Sequence, residues 1–105
     1  MYGTIYRIKV KPGNLAQVLE HLKNWERNQL PRATGVIASY HLQLDNNPNE
    51  LLNVAIFDSE ENYRENAQVP GQDEWYRGLR ELLESDPEWN DGHFIYNLQA
   101  TGAGL

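Results

Sequence analysis

Four short stretches of β-branched and aromatic residues are separated by two helical stretches, the second of them interrupted, in which apolar residues recur at every third or fourth position. This order constrains the fold more than any other feature of the chain. The strand-like stretches are 4–10, 36–44, 51–57 and 93–98, and the helical spacing covers 14–29, 60–67 and 72–84. Such spacings are typical of strands and of amphipathic helices, respectively. The sequence therefore predicts one α+β domain with the element order β-α-β-β-α-β.

Turn-forming and capping residues mark the boundaries between these elements. Lys11-Pro12-Gly13 ends the first strand, and the turn formers of 45–49 predict a hairpin between the second and third strands. Asp58 or Ser59 is expected to cap the second helical segment. Val69-Pro70-Gly71 breaks that segment, because proline disfavours helix at the preceding residue.

Two β-α-β halves joined by a hairpin form the ferredoxin-like plan. Right-handed crossovers place both helices on one face of a four-stranded antiparallel sheet. Alternation assigns one set of strand side chains to the helix-facing side: Tyr6, Ile8, Val10, Val36, Ala38, Tyr40, Leu42 and Leu44. It assigns a mixed set to the reverse side: Ile5, Arg7, Ile37, Ser39, His41 and Gln43. The reverse side is too apolar to remain exposed to water, so we expect a homodimer in which a second copy of the chain covers it.

Composition excludes several classes of function. The chain has 9 Lys and Arg against 15 Asp and Glu, a net charge of -6, which repels nucleic-acid phosphates. The absence of cysteine excludes disulfides, thiolate catalysis and cysteine-ligated metals. No apolar run approaches the ~20 residues that span a bilayer. We expect a cytoplasmic protein that contacts neither nucleic acid nor membrane.

The residues that carry common site chemistry are scattered. His21, His41 and His93 lie on three different elements, without the tight spacing of metal ligands, so no metal site is predicted. An interface or hydrogen-bonding role is expected for these histidines. The glycines occur singly rather than in a phosphate-binding loop, and no two of the acidic residues stand out as an acid–base pair.

Two segments resemble a known group of proteins. The first strand running through Val10-Lys11-Pro12-Gly13 into a helix, and the segment from Phe57 to Asn66 followed by a second aromatic helix, resemble the antibiotic biosynthesis monooxygenase (ABM) type of dimeric α+β barrel. The resemblance covers residues 3–98, taken as one domain, with 99–105 as a flexible C-terminal tail. It implies that two sheets face each other across a dimer axis, with a small cavity between sheet and helices in each subunit.

The chain also departs from the pattern of that group. Many members carry Trp at the position of Phe57 and His at the position of Asn66. Haem-degrading relatives use Asn, Trp and His at positions that here hold Tyr6, Asn66 and Leu79. The resemblance therefore implies chemistry without haem, and no cofactor is predicted.

Aromatic residues supply the candidate site. Tyr63, Asn66 and Tyr76 are the candidate catalytic residues, which would deprotonate or orient a bound phenol; Tyr6, Tyr40 and Trp75 are the candidate ligand-binding residues. Aromatic walls with a few polar groups suit a planar ligand. The alternative is that the aromatic residues at helical spacing only build the core, and that Asn66 only caps a helix.

Two functions from different classes remain open. The resemblance implies a cofactor-independent monooxygenase of a small phenol- or quinol-type aromatic substrate. The same architecture would also serve a non-catalytic homodimer that binds a small hydrophobic molecule or a partner protein, since a fold does not fix function. An RNA-binding or acyl-phosphate-cleaving domain is disfavoured, because the strands lack an aromatic, basic platform and no arginine-containing phosphate loop is present.

Overall fold

The computed structural model describes residues 1–100 as four strands and three helices. The strands are β1 (Tyr2–Lys9), β2 (Val36–Leu44), β3 (Asn47–Phe57) and β4 (Glu88–His93). The helices are α1 (Leu15–Asn28), α2 (Glu60–Asn66) and α3 (Gln72–Glu81), and a short 3-10 helix, Leu30–Arg32, follows α1. The described part of the chain contains no helix that is both long and apolar enough to cross a membrane.

The strands form one antiparallel sheet in the order β2-β3-β1-β4, with β3 and β1 at the centre. Helices α1 and α3 pack on one face of this sheet, where Val18 and Leu79 contact Ile8 and Leu51. This arrangement confirms the predicted ferredoxin-like fold. The second helical segment is divided into α2 and α3, as the proline and glycine at its middle predicted.

Local signals explain where α2 and α3 begin. The hydroxyl of Ser59 accepts a hydrogen bond from the main-chain N–H of Asn62 at 3.1 Å, which caps α2. Gly71 lies just before α3 with φ at 90°, a left-handed conformation that favours glycine. Residues 67–71 therefore change the direction of the chain between two helices that sequence spacing alone would join.

The packed core occupies one end of the layer between helices and sheet. It is built by Tyr6, Ile8, Val10, Val18, Leu51, Leu79 and Leu83. A bridge between Val10 and Leu83 closes this end, where the chain leaves β1 and α3. Burying an aliphatic side chain stabilises a fold by roughly 1.5–3 kcal/mol, so this cluster holds α1 and α3 on the sheet.

The side chains of β2 from Ala38 to Gln43 lie on the opposite faces from those predicted, whereas Val36 faces the helices as predicted. Val36 pairs with Phe57, but Ala38 pairs with Ile56, so β2 contains one extra residue at a β-bulge around Ile37. A prediction that assumes strict alternation assigns the residues after such a bulge to the wrong face. As a result Ala38, Tyr40 and Leu42 lie on the reverse face, while Ser39, His41 and Gln43 lie on the helix-facing side.

The prediction for the last strand was also wrong in position. Strand β4 pairs with β1 from Glu88 to His93, not from 93 to 98, and the N–H of Phe94 makes one further hydrogen bond to Met1 O at 3.0 Å. Residues 95–98 have strand-like composition but no neighbouring strand among residues 1–100, and Ile95 is 97 % exposed. Of the predicted tail 99–105, residues 101–105 lie outside the described residues.

The reverse face of the sheet is apolar at its centre and charged at one end. Tyr40 and Leu42 on β2 are 60 % and 57 % exposed, and they flank Val54 and Leu52 of the neighbouring strand. Across β1, the guanidinium of Arg7 lies 3.5 Å from a carboxylate oxygen of Glu50 and 3.5 Å from one of Glu88. A single copy of the chain leaves this apolar surface in contact with water.

Candidate functional site

A cavity of about 990 Å³ lies between the helices and the sheet, at the end away from the packed core. All three helices and all four strands contribute to its wall. Helix α2 contacts β1 and β3 whereas α3 contacts α1, so the bend between α2 and α3 leaves this end of the layer unfilled. Cavities of this size, apolar with a few polar groups, are the usual form of small-molecule sites.

One wall of the cavity is a cluster built around Arg64 of α2. Its guanidinium donates to the hydroxyl of Tyr2 at 2.8 Å and to a carboxylate oxygen of Asp91 at 3.3 Å, and it lies over the rings of Tyr2 and Tyr63. The hydroxyl of Tyr63 donates to the other oxygen of Asp91 at 2.8 Å. This network fixes the position of Tyr63 against β4.

The predicted catalytic residue Tyr63 remains a neutral phenol. Burial, followed by the hydrogen bond to Asp91 and the charge of Asp91, raises its pKa well above the ordinary value for tyrosine. Because its hydrogen is donated to Asp91, the Tyr63 oxygen offers only lone pairs to a ligand. Within this geometry Tyr63 can orient a ligand but is a poor proton acceptor.

Asn66 ends α2 and lines the cavity. Its main-chain oxygen accepts from the N–H of Val69 at 3.2 Å, which satisfies the carbonyl at the helix end. Its side-chain oxygen is buried and accepts no hydrogen bond from any residue in 1–100. A buried acceptor without a partner is costly, so the side chain of Asn66 has hydrogen-bonding capacity left for a ligand.

The predicted aromatic residues of α3 line the same cavity. The indole of Trp75 donates to the carbonyl of His21 at 2.9 Å and stacks on the His21 ring, so only its ring surface faces the cavity. Tyr76 also lines the cavity, and burial is the main cause that raises its pKa. Its ring lies 6.4 Å from that of Trp89 on β4.

Tyr6 forms part of the floor of the cavity. Its ring is buried and lies 4.7 Å from the ring of Trp89, and burial raises its pKa to about 12. Tyr40 belongs to the edge strand that borders the cavity, but its pairing with Val54 places its side chain on the reverse face. Tyr40 therefore borders the same cavity as the other candidates, but the prediction that its side chain faces the helices is wrong.

Several cavity residues were missed by sequence reasoning. Trp89 and Asp91 precede the predicted last strand, 93–98, and His41 was assigned to the reverse face. The alternation of Trp89, Asp91 and His93 was a usable signal for β4. The bulge that turns His41 towards the helices left no such signal. Among residues 1–100, no group of three or more metal-ligating side chains could hold a metal ion.

Comparison with solved structures identifies the fold. SnoaB, a cofactor-independent oxygenase from Streptomyces nogalater solved as a single-residue mutant, is 16 % identical, with 94 % of this chain and 97 % of that chain covered and a TM-score of 0.80. A conserved protein from Methanosarcina mazei Go1 is 20 % identical over 87 % of this chain and 89 % of that chain, with a TM-score of 0.77.

A third structure, of an antibiotic biosynthesis monooxygenase, is 9 % identical over 91 % of this chain and all of that chain, with a TM-score of 0.75. The chain thus has the ABM-like ferredoxin-like fold that its sequence predicted. Identities this low establish the fold alone. Comparison of the sequence with protein-family models gave no match, and comparison with curated proteins gave none.

Proposed function

We propose that the protein is a cofactor-independent monooxygenase of a small phenol- or quinol-type aromatic substrate. The observation that carries this proposal is the cavity of about 990 Å³, whose wall combines Tyr6, Trp75, Tyr76 and Trp89 with a few polar groups. Aromatic walls suit a flat ring. SnoaB, which shares the fold, is itself a cofactor-independent oxygenase.

In such a reaction the substrate supplies the electrons. A ring CH₂ group activated by a neighbouring phenol or ketone loses a proton, and the resulting carbanion gives one electron to O₂. The two radicals join through a C–O bond, and the peroxide takes up a proton. Loss of water then leaves a carbonyl, so CH₂ and O₂ become C=O and H₂O. The protein has to bind, deprotonate and shield the substrate from water.

The cavity residues divide these tasks. Asn66 accepts a hydrogen bond from a substrate hydroxyl with its unpartnered side-chain oxygen. Tyr63, fixed by Asp91, accepts a hydrogen bond from a second hydroxyl of the substrate through its oxygen lone pairs. The rings of Trp75 and Tyr76 hold the substrate plane. None of these groups requires a metal or an organic cofactor.

Oxygen uptake with a panel of anthrones and dihydroxyaromatics tests the proposal. We expect uptake by the native protein and at least a tenfold loss, about 1.4 kcal/mol of transition-state stabilisation, in Asn66→Ala. Asn28→Ala, at an exposed position on α1 outside the cavity, is the matched control. Uptake that is absent from the native protein, or equal in both variants, would count against the monooxygenase.

A non-catalytic ligand-binding module is the second candidate, and one observation favours it. Several polar groups of the cavity already bond to each other: Tyr63 and Arg64 to Asp91, and Trp25 to Gln72 at 2.7 Å. Such a wall binds by apolar contact and leaves few groups for chemistry. Ligands that raise the melting temperature without consuming oxygen would support this alternative.

We also propose that the protein is a homodimer formed through the reverse face of the sheet. The exposed side chains of Ile5, Tyr40 and Leu42 form an apolar surface that a second copy would cover. Ile95 and Leu98, 97 % and 79 % exposed, extend from the same sheet beyond β4 and add to the surface that lacks a partner. A two-fold symmetric contact would bury the same residues on both copies.

A further inference from the structure

The imidazole of His41 is a cavity group whose chemistry the proposed reaction does not yet use. It lies on β2 opposite Asn53 of β3, on the helix-facing side, and it lines the cavity. Its Nδ1 is 2.8 Å from the side-chain oxygen of Asn53. Asn53 is completely buried, whereas His41 is exposed on the edge strand β2, so the contact fixes one side of an otherwise solvent-accessible ring.

The surroundings of Asn53 determine which of its atoms is the oxygen. Its amide nitrogen lies 3.2 Å from the carbonyl oxygen of Tyr6 and 3.5 Å from that of Leu51. Both carbonyls are acceptors only, so the atom facing them must be the NH₂ donor. The opposite atom, which faces His41, is therefore the carbonyl oxygen.

This orientation fixes the tautomer of His41. Because the Asn53 oxygen can only accept, Nδ1 of His41 must carry the hydrogen, and in the neutral ring Nε2 is then an unprotonated acceptor. Nε2 makes no hydrogen bond within residues 1–100, and the ring geometry directs it away from the buried side chain of Asn53. His21 has the reverse pattern: its Nε2–H donates to the carbonyl of Trp75 at 2.7 Å.

We propose that His41 is the general base of the cavity and that Asn53 is the residue that positions it. The inference rests on the proposed function and names its substrate more narrowly, as an aromatic molecule with an acidic phenolic O–H. The O–H bond breaks, an Nε2–H bond forms, and the phenolate lies beside an imidazolium whose Nδ1–H is held by Asn53. Histidine is the residue most often used for such transfers.

Other charged groups also line the cavity, and the test has to separate them from His41. They are Lys23 and Glu26 of α1, Arg64 of α2, Asp73 of α3 and Asp91 of β4. Arg64 and Asp91 are paired with each other. Lys23 is the cation most able to favour a phenolate in place of a base.

The first experiment measures the tautomers of the histidines by ¹⁵N NMR of the ligand-free protein at a pH where the rings are neutral. We expect hydrogen on Nδ1 of His41 and on Nε2 of His21, so the two rings serve as references for each other. Hydrogen on Nε2 of His41 would overturn the inference. This outcome does not depend on whether the protein consumes oxygen.

The second experiment titrates the protein with alizarin (1,2-dihydroxyanthraquinone), whose visible absorption moves to longer wavelength when a phenol ionises. Below the pH at which free alizarin ionises, the native protein should bind the ionised dye. His41→Gln should bind the neutral dye, with the ratio of ionised to neutral form reduced about tenfold, which equals one pKa unit of the dye. His93→Gln, outside the cavity lining, should behave like the native protein.

The outcomes separate the two proposals. If the native protein does not bind alizarin, or if His41→Gln keeps the ionised spectrum, another group acts and the assignment of His41 is wrong. If the dye ionises only when His41 is present but no substrate gives oxygen uptake, the assignment of His41 as general base stands and the monooxygenase proposal fails. Circular dichroism of each variant verifies that it is folded.

Discussion

His21 and Trp75 join α1 to α3 through two reciprocal hydrogen bonds. Nε2–H of His21 donates to the carbonyl of Trp75 at 2.7 Å, and the indole N–H of Trp75 donates to the carbonyl of His21 at 2.9 Å. The two rings stack with centroids 5.1 Å apart and an interplanar angle of 11°. These two hydrogen bonds and the stacking, together called the His21–Trp75 clasp, set the distance between α1 and α3, which form opposite sides of the cavity.

The substitution Gly78→Ala tests the clasp. A β-carbon on Gly78 would lie 2.8 Å from Cε1 and 3.0 Å from Nε2 of His21, so the ring would have to move and its stacking on Trp75 would weaken. Alanine is favoured over glycine within a helix by about 1 kcal/mol, and overpacking costs ~1–3 kcal/mol. We expect a net loss of about 1 kcal/mol in the free energy of unfolding, measured with urea.

The matched background for this test is His21→Ala. Without the ring, the helix preference of alanine acts alone, so Gly78→Ala should then stabilise the protein by up to about 1 kcal/mol. If Gly78→Ala has the same sign in both backgrounds, the contact with His21 is not the cause of its effect.

Tyr6 should make the protein less stable at alkaline pH. Its pKa is raised to about 12 by burial, so between pH 10 and 12 the unfolded chain ionises this phenol while the folded protein does not. The contribution of this phenol to the free energy of unfolding is therefore fully present below pH 10 and is lost as the pH rises to 12. The contribution of Tyr6 is roughly 2–3 kcal/mol.

Denaturant unfolding of the native protein and Tyr6→Phe between pH 8 and 12 measures this contribution. The variant should lose less stability over this interval than the native protein, because phenylalanine cannot ionise. Tyr96→Phe, at an exposed position, is the control and should follow the native curve. Parallel curves for Tyr6→Phe and the native protein would contradict the prediction.

Asp91→Asn should lower the pKa of Tyr63. The largest cause of the raised pKa is burial, which remains, but the hydrogen bond to a carboxylate and its negative charge are removed. The amide oxygen can still accept from the Tyr63 hydroxyl, so the position of the ring should change little. Ionisation followed by ¹³C NMR of labelled tyrosine measures the shift. Asp45→Asn, in the hairpin turn, should leave the titration of Tyr63 unchanged.

Leu42→Glu should disrupt the proposed homodimer. The side chain lies on the reverse face and is 57 % exposed in the single chain, so a charge there adds little strain to the monomer but would be buried without a partner in a dimer. Sedimentation should give the mass of two chains for the native protein and of one for Leu42→Glu. Gln17→Glu, exposed on α1, is the control, and a native protein that sediments as one chain would refute the dimer.

The sequence was sufficient for the fold because most of its local signals agree with one another. The break at Val69-Pro70-Gly71 and the cap at Ser59, one of the two predicted, appear where composition and turn chemistry placed them, and β3 contains the predicted strand 51–57 but begins earlier, at Asn47. These features depend on neighbours a few positions apart, which periodicity and capping rules describe well.

The site was harder to predict because it depends on register. One extra residue near Ile37 exchanges the faces of Tyr40 and His41, and no turn former or glycine stands between Val36 and Ala38 to mark that bulge. Strand β4 begins at Glu88 because β1 supplies pairing partners there, although its composition resembles a polar loop. Pairing between strands that are distant in sequence therefore determined both the faces of Tyr40 and His41 and the start of β4.

The separation of the packed core from the cavity has a consequence for evolution. The side chains that hold the helices on the sheet, such as Val18 and Leu83, lie at one end of the layer, while Trp89 and Asn66 line the other. Tyr6 and Trp75 contribute to both, but substitutions at cavity residues that do not contact the core therefore remove few contacts that maintain the fold. A fold arranged in this way can change the molecule that its cavity binds while its architecture persists. The fold is retained here although this chain shares only 9–20 % sequence identity with SnoaB and the other two structures compared with it.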